Sequence, residues 1–174
     1  MRHFLRTAAP FALAAVILAA PFWAAADDKA DAAIVPGKRI GAAAFGMNTE
    51  QLTAALGKPA ARLHISDGYL LMFGDVRVVV AEDGHVIRLE TESAGFKTAD
   101  GFGVGSMEPA IAAKLGPPAK AQDIRTSADN LQIPIGHRVC YEPGMVFVTE
   151  FVPRQPHAVT LVGLREGGCA HAFE

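Results

Sequence analysis

The sequence has few of the features that catalytic and metal-binding proteins usually show. None of its six histidines forms an H-x-x-x-H or H-E-x-x-H pair, so the common zinc motifs are missing. Residues 101–106 are rich in glycine, but no Walker lysine follows them and Ser106 does not stand in a G-x-S-x-G elbow. The net charge of −2 gives no reason to expect nucleic acid. We therefore predict no enzymatic activity, no cofactor, no metal and no nucleic-acid partner.

Cysteine is also scarce, since the chain has only Cys140 and Cys169. In an oxidising compartment we expect them to form a disulfide, and closing that loop contributes about 3.5 kcal/mol in the chain-entropy treatment. If the intervening strands form a simple meander, the segments that carry Cys140 and Cys169 are not neighbours. The tail after residues 167–168 then has to fold back for the two cysteines to meet. Free thiols would offer two alternatives: Cys140 as a nucleophile beside His137, or Cys169 and His171 as metal ligands. The disulfide is favoured over both.

The N-terminus carries the pattern of a secretion signal. Arg2 and Arg6 precede an apolar run at residues 8–20, and three alanines at residues 24–26 supply an A-x-A cleavage site. An uncleaved anchor is the alternative, but the apolar run is short for a membrane span. No cysteine follows the run, which excludes a lipoprotein anchor at that site. We predict a signal peptide at residues 1–26, a periplasmic or secreted protein, and no membrane anchor after cleavage. The net charge then falls to −4, because two arginines and no acids are lost.

A segment of about fifteen residues occurs twice in the sequence in similar form, and matched positions are always 59 residues apart. The matched pairs are Gly46 and Gly105, Leu52 and Ile111, Leu56 and Leu115, Gly57 and Gly116, and Pro59 and Pro118. Such spacing is typical of a duplicated structural unit. Each copy predicts a short helix, because apolar residues recur four positions apart and a glycine and a proline follow them.

The two predicted helices differ in how they begin. In the first copy, Asn48 or Thr49 can cap the helix by accepting backbone N–H groups. In the second copy, Ser106 is the expected cap, and Pro109 lies in the first turn, where its missing N–H is harmless. Gly57 is expected to end the first helix in a left-handed conformation.

Strand-like segments follow each helix. After the first helix they are residues 61–65, 69–73, 76–82 and 85–92; after the second they are 120–125, 136–141, 145–152 and 158–165. The predicted fold class is α+β, with two tandem repeats that each pack a short helix on an antiparallel sheet of three to four strands. We assign residues 27–37 to a disordered leader, residues 38–95 to repeat 1 and residues 96–174 to repeat 2.

The first copy of the repeated segment resembles the signature of a known protein family. Phe45-Gly46-Met47-Asn48-Thr49, then Gln51-Leu52 and Gly57, is similar to the Phe-Gly-Met-Thr…Gln-Val-Leu…Gly signature of the beta-lactamase inhibitory proteins. It is also similar to the motif of the small outer-membrane assembly lipoproteins of the SmpA/OmlA group. The resemblance implies short helices against an antiparallel sheet, and a concave sheet surface presented to an enzyme. The chain departs from both families, because neither of its cysteines follows the helix and no lipid-bearing cysteine is present.

The candidate binding residues lie on the predicted strands. We expect a protein partner to bind the helix-free face of the sheet through Tyr69, Arg77, Arg88, Glu90, Arg138 and Tyr141. Alternation along residues 85–92 places Arg88 and Glu90 on one face, and buried tyrosines often anchor interfaces. The alternatives are a solvated sheet face for the charged residues and core packing for the tyrosines.

The main functional hypothesis is an exported, non-enzymatic module that binds a protein. It depends on the duplication, the signal sequence and the missing catalytic motifs. One alternative is a structural envelope-maintenance protein without a tight ligand. Another is a small periplasmic metal-dependent or hydrolytic enzyme.

Overall fold

The computed structural model describes residues 32–128, 131–151 and 157–173. These residues form an α+β structure with two α-helices, α1 (Thr49–Leu56) and α2 (Glu108–Leu115), and a 3-10 helix (Gly168–His171). The strands are β1 (Ile34–Val35), β2 (Arg39–Ile40), β3 (Ala43–Ala44), β4 (Ala61–Ile65), β5 (Gly68–Phe73), β6 (Val76–Val80), β7 (Val86–Thr91), β8 (Lys120–Ala128), β9 (Leu131–Tyr141), β10 (Met145–Glu150) and β11 (Val159–Arg165). The predicted signal peptide at residues 1–26 lies outside the described residues. Within the described ranges, no helix is long and apolar enough to span a bilayer.

Eight of the strands form one continuous antiparallel sheet, in the order β4-β5-β6-β7-β11-β10-β9-β8. The prediction of a separate sheet for each helix is therefore wrong. The two sets of four strands join where β7 pairs with β11, with Leu89 opposite Leu164 and Thr91 opposite Val162. This pairing satisfies backbone groups that would otherwise lie on two exposed edges, and it leaves β4 and β8 as the edge strands.

A second, small sheet of strands β1, β2 and β3 lies before the first helix. The sequence predicts a disordered leader at residues 27–37. For the described residues 32–37 this prediction is wrong, because Ile34 and Val35 form strand β1. Ile34 pairs with Ile40, and both are almost wholly buried. The Lys38 N–H donates to the Val35 carbonyl (3.0 Å), which closes a tight turn through Gly37 at φ 67°.

The helix ends agree with the sequence in one copy and differ in the other. Asn48 caps α1 as predicted: its side chain accepts from the Gln51 N–H, and the Gln51 side chain accepts from the Asn48 N–H. Gly57 ends α1 at φ 84° and ψ −169°, a positive φ but not the left-handed helical conformation. Met107 begins α2 without a side-chain cap. The prediction that Ser106 caps this helix is wrong. Its hydroxyl instead accepts a hydrogen bond from the Gly103 N–H (3.0 Å).

One hydrophobic core lies between the large sheet and the elements that cover it. Leu52 of α1 and Ile111 of α2 are wholly buried in this core, together with Ile34 and Ile40 of the small sheet. The sheet contributes alternate residues of its strands, among them Leu71, Val78, Leu89, Val139, Phe147 and Leu164. We call this the covered face. The intervening residues point to the opposite side, the helix-free face.

Strands β8 and β9 form a hairpin that is longer than predicted. The sequence predicts strands at residues 120–125 and 136–141, yet Thr126 and Ser127 continue the pairing with Ile133 and Gln132. The prediction fails because Pro134 interrupts the apolar pattern, while a register shift between Ile124 and Arg125 lets the pairing continue past it.

The two cysteines form a disulfide, Cys140–Cys169, with their Cα atoms 5.7 Å apart. Cys140 lies on β9 and points to the helix-free face, because it pairs with Val146 of that face. The tail after β11 folds back across β10, as the sequence predicts for a disulfide between these two cysteines. Cys169 and Ala172 of the tail pack against Val146 and Cys140. Part of the helix-free face, which neither α-helix covers, is thus covered by the C-terminal tail with its 3-10 helix.

Candidate functional site

Four arginines lie on the helix-free face, each on a different strand. They are Arg77 on β6, Arg88 on β7, Arg165 on β11 and Arg138 on β9. The strand register places them together: Leu70, Val79, Arg88 and Arg165 form one row across the sheet, and Arg77, Glu90, Gly163 and Val146 form the next. Arg138 pairs with Val148 in a third row. We call this set the arginine face.

Arg88 and Arg165 stand directly opposite each other on the two central strands. Like charges in this position repel and destabilise a strand pair. Because the opposite face of these strands is packed with apolar side chains, such a local conflict between charges marks a candidate functional site.

Glu90 provides the counter-charge next to these arginines. Its carboxylate lies 3.3 Å from Arg88 Nε and 3.6 Å from Arg77 Nε. Arg77 also pairs with Glu92, with Nη2 and Oε1 2.6 Å apart. Arg77, Arg88 and Glu90 keep only about a fifth to a quarter of their side chains exposed, at 26%, 21% and 20%. Since water screens such groups only partly, their charges act strongly on one another.

The other two arginines are Arg138 on β9 and Arg165 on β11. Arg138 Nε donates to Gln122 Oε1 (2.8 Å), and its guanidinium lies 4.7 Å from the centre of the Phe173 ring. Burial lowers the pKa of Arg138. Burial also lowers the pKa of Arg165, and repulsion from Arg88 and Arg138 adds to that effect, whereas Glu90 and Asp67 raise it. The repulsion between Arg88 and Arg165 agrees with their opposition in the strand register.

A small cavity of about 80 Å³ opens among these side chains. Its charged lining comes from Arg88, Glu90, Arg138 and Arg165, and its apolar lining includes Val146, Val148 and Leu161. Arg88 Nε is buried and makes no hydrogen bond among the described residues. The nearby Glu90 oxygen is within ion-pair distance but does not meet hydrogen-bond geometry.

The two tyrosines that the sequence groups with this face lie on the covered face. Tyr69 is opposite Val80, and Tyr141 is opposite Met145; both partners belong to the core. Tyr141 is 5% exposed and packs edge-on against Phe147. The prediction that they anchor a partner on the helix-free face is wrong, because strand alternation turns both rings towards the helices. Arg77, Arg88, Glu90 and Arg138 do share that face.

The sequence reasoning missed Arg165, although one signal was present. Leu161, Gly163 and Arg165 alternate along the last strand, which places them on one face. Their position beside Arg88 depends on β7 pairing with β11, and no local pattern indicates that pairing.

A cavity of about 610 Å³ lies on the other side of the sheet. It is lined by Glu108, Pro109, Ala112, Asp123, His137, Phe151 and His157. His137 Nδ1 and Glu108 Oε1 are 3.0 Å apart, which ties α2 to β9. Within the ranges described, no group of three or more His, Cys, Asp or Glu side chains could hold a metal ion.

The disulfide argues against the two alternatives that require a free thiol, namely a Cys140 nucleophile and a metal site at Cys169 and His171. Cys140 is oxidised and points to the face opposite His137, since adjacent strand residues alternate. It therefore does not act as a nucleophile with His137 in this structure. Cys169 is equally unavailable as a metal ligand with His171.

Known protein families and curated proteins give no match to this chain. Two solved structures are similar to it. The uncharacterized protein yfeY from Escherichia coli is 13% identical, with a TM-score of 0.53, and the match covers 76% of this chain and 99% of that one. A DUF4309 family protein (YjgB) from Bacillus subtilis is 14% identical, with a TM-score of 0.45, over 75% of this chain and 88% of that one. At such identity, the likeness to yfeY concerns the fold alone.

Proposed function

We propose that this protein is an exported, non-enzymatic binding module that recognises the acidic surface of a protein partner through the arginine face. The observation that carries the proposal is the direct opposition of Arg88 and Arg165 on central strands. Repulsion between them costs stability in the free protein. A partner carboxylate would relieve that repulsion on binding.

The charge of this face supports an acidic partner. The whole chain has a net charge of −2, whereas the arginine face combines four arginines with Glu90 and Glu92. A positive patch on an acidic protein steers a partner of opposite charge and disfavours partners of the same charge. Arginine is also enriched at the centres of protein interfaces.

The proposal includes a duplicated architecture, which resembles that of the beta-lactamase inhibitory proteins. Matched positions adopt matched conformations: Gly46 and Gly105 have φ 82° and 87°, and Gly57 and Gly116 have φ 84° and 83°. The residues that begin the two helices, Asn48 and Met107, each form a bridge to a later strand region, at His85 and Ala158 respectively. These features support two fused helix-plus-sheet units.

Export is the remaining part of the proposal. The disulfide between Cys140 and Cys169 suits an oxidising compartment. Together with the signal pattern at residues 1–26, it favours the periplasm or secretion.

The test is capture of a partner from envelope extract by immobilised protein. We expect one protein to be retained in stoichiometric amount, with binding that weakens as salt is raised. A variant with Arg88→Gln and Arg138→Gln should lose this capture. The control, Arg62→Gln with Arg125→Gln, removes the same charge from edge strands β4 and β8 and should retain it.

Two outcomes would overturn the proposal. Capture that is equal in both double variants would place the binding surface elsewhere. The absence of any stoichiometric partner would favour the alternative of an envelope-maintenance protein without a tight ligand.

A further inference from the structure

We infer that the edge strand β8 is a dimerisation surface, and that it binds β8 of a second copy of this chain. The two strands pair antiparallel about a twofold axis at Ile124 and continue the large sheet from one copy into the other. This inference goes beyond the proposed function and does not depend on it, because each copy keeps its own arginine face.

β8 is a long edge strand that lacks the usual protection against pairing. It covers nine residues, Lys120–Ala128, and contains neither proline nor glycine. Among the described residues, β9 is the one strand paired with it. Alternate N–H and C=O groups of β8 therefore point away from the sheet, where a further strand can bind them. Every residue from Lys120 to Ser127 except Ile124 is exposed, so this edge is accessible to a partner.

The sequence of β8 is complementary to itself in one antiparallel register. Opposite residues of antiparallel strands share a face of the sheet, so each residue must meet one that lies an even number of positions away. With the axis at Ile124, the whole strand is paired and the two opposite charges near its centre meet. The pairs are Lys120 with Ala128, Ala121 with Ser127, Gln122 with Thr126, Asp123 with Arg125, and Ile124 with its own equivalent.

The neighbouring registers are less favourable. Moving the axis by one residue places Asp123 opposite Asp123 of the second copy, or Arg125 opposite Arg125. Like charges that stand directly opposite destabilise a strand pair. Moving the axis by two residues leaves at most Lys120–Ile124 or Ile124–Ala128 to pair. The charges of β8 therefore select the register centred on Ile124.

Asp123 and Arg125 have the geometry that this register requires. Within one copy, Arg125 Nη2 lies 2.7 Å from Asp123 Oδ2, in agreement with their position on the same face of β8. The two side chains remain 47% and 43% exposed, so each can contact a second group. In the dimer each carboxylate also meets the guanidinium of the other copy, which gives a network of four charges. Such a network contributes more than an isolated surface pair.

Ile124 lies at the centre of the proposed interface. Its partner on β9 is Gly136, which has no side chain. A Cβ atom at Gly136 would be 3.4 Å from Ile124 Cδ1, so the isoleucine lies over the position where a cross-strand side chain is missing. At the twofold axis Ile124 contacts Ile124 of the second copy, and this contact supplies an apolar cross-strand pair.

The hairpin of β8 and β9 extends beyond the rest of the large sheet. β10 pairs with β9 as far as Gly136, and in the two-stranded part that follows Leu131, Ile133 and Ile135 are 65%, 43% and 46% exposed. Two-stranded ribbons are marginal in water. In the dimer, residues 124–128 of each copy pair with residues 120–124 of the other. The extended part of each hairpin thereby gains a third strand.

The first experiment measures self-association of the purified protein by sedimentation equilibrium over a range of concentrations. We expect an equilibrium between monomer and dimer that shifts towards monomer as salt is raised, because salt screens the exposed charge network. Amide hydrogen exchange at low and high protein concentration then locates the surface. Residues 120–128 should exchange more slowly at high concentration, whereas the opposite edge strand β4 should not change.

Charge reversals test the register. Asp123→Arg and Arg125→Asp each place two pairs of like charges across the axis, and each should weaken the dimer about tenfold or more. An equimolar mixture of these two variants restores opposite charges and should form a heterodimer. The double variant, Asp123→Arg with Arg125→Asp, should dimerise like the unaltered protein. The control Arg62→Asp makes the same charge reversal on β4 and should leave the dimer unchanged.

Several outcomes would overturn the inference. They are a monomer at every concentration, a dimer that tolerates both reversals, a mixture without heterodimer, and unchanged exchange in β8. If one single reversal does not fold, the double variant decides, because loss of its dimer contradicts the register. Protection of β8 by a captured partner, in a protein that is otherwise monomeric, also overturns the inference, in favour of a strand from another protein.

These outcomes are distinct from those of the capture experiment. Dimerisation is measured without any other protein present, and the arginine face of each copy is complete without the dimer. A charge-dependent dimer together with failed capture supports this inference and contradicts the proposed function. Successful capture by a strictly monomeric protein has the opposite meaning.

Discussion

Leu52 and Ile111 lie 59 positions apart in the sequence, and both are wholly buried in the same hydrophobic core. Each is the buried residue of an eight-residue helix, and each helix ends at a glycine whose N–H bonds back to the carbonyl four residues earlier. Helices of two turns are marginal in isolation. Each helix is therefore held in place by packing, with one aliphatic side chain wholly buried and a second, Leu56 or Leu115, partly buried against the core.

The first prediction concerns these two side chains. Leu52→Ala and Ile111→Ala should each lower the free energy of unfolding by about 2–5 kcal/mol, the range for truncating a buried aliphatic residue. Urea denaturation followed by circular dichroism measures the change. Leu63→Ala is the control, because Leu63 is 51% exposed and should cost about 0.5 kcal/mol or less. If either helix variant is as stable as the control, that helix does not depend on its buried residue.

The second prediction concerns the unequal helix caps. Asn48→Ala should cost about 1 kcal/mol, because it removes the acceptor for the Gln51 N–H. Met107 has no capping bond, so Met107→Asn should stabilise the protein by about 0.5–1 kcal/mol. Thermal unfolding of both variants provides the comparison. A loss of stability in Met107→Asn would show that the 39% exposed methionine side chain contributes more by packing than a cap would.

The third prediction concerns the disulfide. Its two cysteines are 29 positions apart, so replacing both with alanine should lower the free energy of unfolding by about 3.5 kcal/mol. Reduction of the unaltered protein under native conditions should give a similar loss, which urea titration with and without reductant will measure. A loss below about 1 kcal/mol would mean that the loop is already restrained in the unfolded chain.

The fourth prediction concerns the ionisation of Tyr141. Burial raises its pKa above the ordinary value of 10.0, and the nearby Glu108 raises it further. In a Tyr69→Phe variant Tyr141 is the remaining tyrosine, and its phenolate absorbance should appear above pH 10.0 in the folded protein. The unfolded chain loses this proton first, so the stabilising effect is complete below pH 10.0 and is lost as the pH rises through the higher folded pKa. A midpoint at or below 10.0 would contradict the burial of this hydroxyl.

The fifth prediction follows from the same hydroxyl. Tyr141 Oη is buried and has no hydrogen-bond partner among the described residues. Tyr141→Phe should therefore leave the stability unchanged or raise it by up to about 1 kcal/mol, because the variant removes an unsatisfied polar group. Phe147→Ala serves as the contrast: it removes a ring that packs against Tyr141 and should cost about 3–5 kcal/mol. A clear loss of stability in Tyr141→Phe would indicate an acceptor for the hydroxyl.

Local patterns predicted the elements of this fold better than their assembly. The capping residue Asn48 and the helical positions of Leu52 and Ile111 depend on interactions between near neighbours, and the sequence signals for them are direct. Pairing of β7 with β11 joins segments about seventy residues apart, and the sequence contains no local signal for it. The single continuous sheet was missed for that reason.

The candidate site shows the same limit. Alternation along residues 85–92 predicts that Arg88 and Glu90 share one face, and the strand register confirms this. Arg77 and Arg138 lie on the same face. Tyr141 directly follows Cys140 on β9, so its side chain points to the covered face while Cys140 points to the helix-free face. The prediction for Tyr141 relied on the residue type and not on this position in the strand. Arg165 was missed because only the pairing of β11 with β7 brings it opposite Arg88.

The bond between Cys140 and Cys169 turns the segment between them into a covalently closed ring that contains β10 and β11. A protease that cuts any peptide bond within this ring cannot release a fragment, because both pieces stay linked through sulfur. The nicked protein should run as one species in a denaturing gel until reductant is added. In an environment rich in proteases, β11 thus remains tethered to the strands on both sides of it after its backbone has been cut.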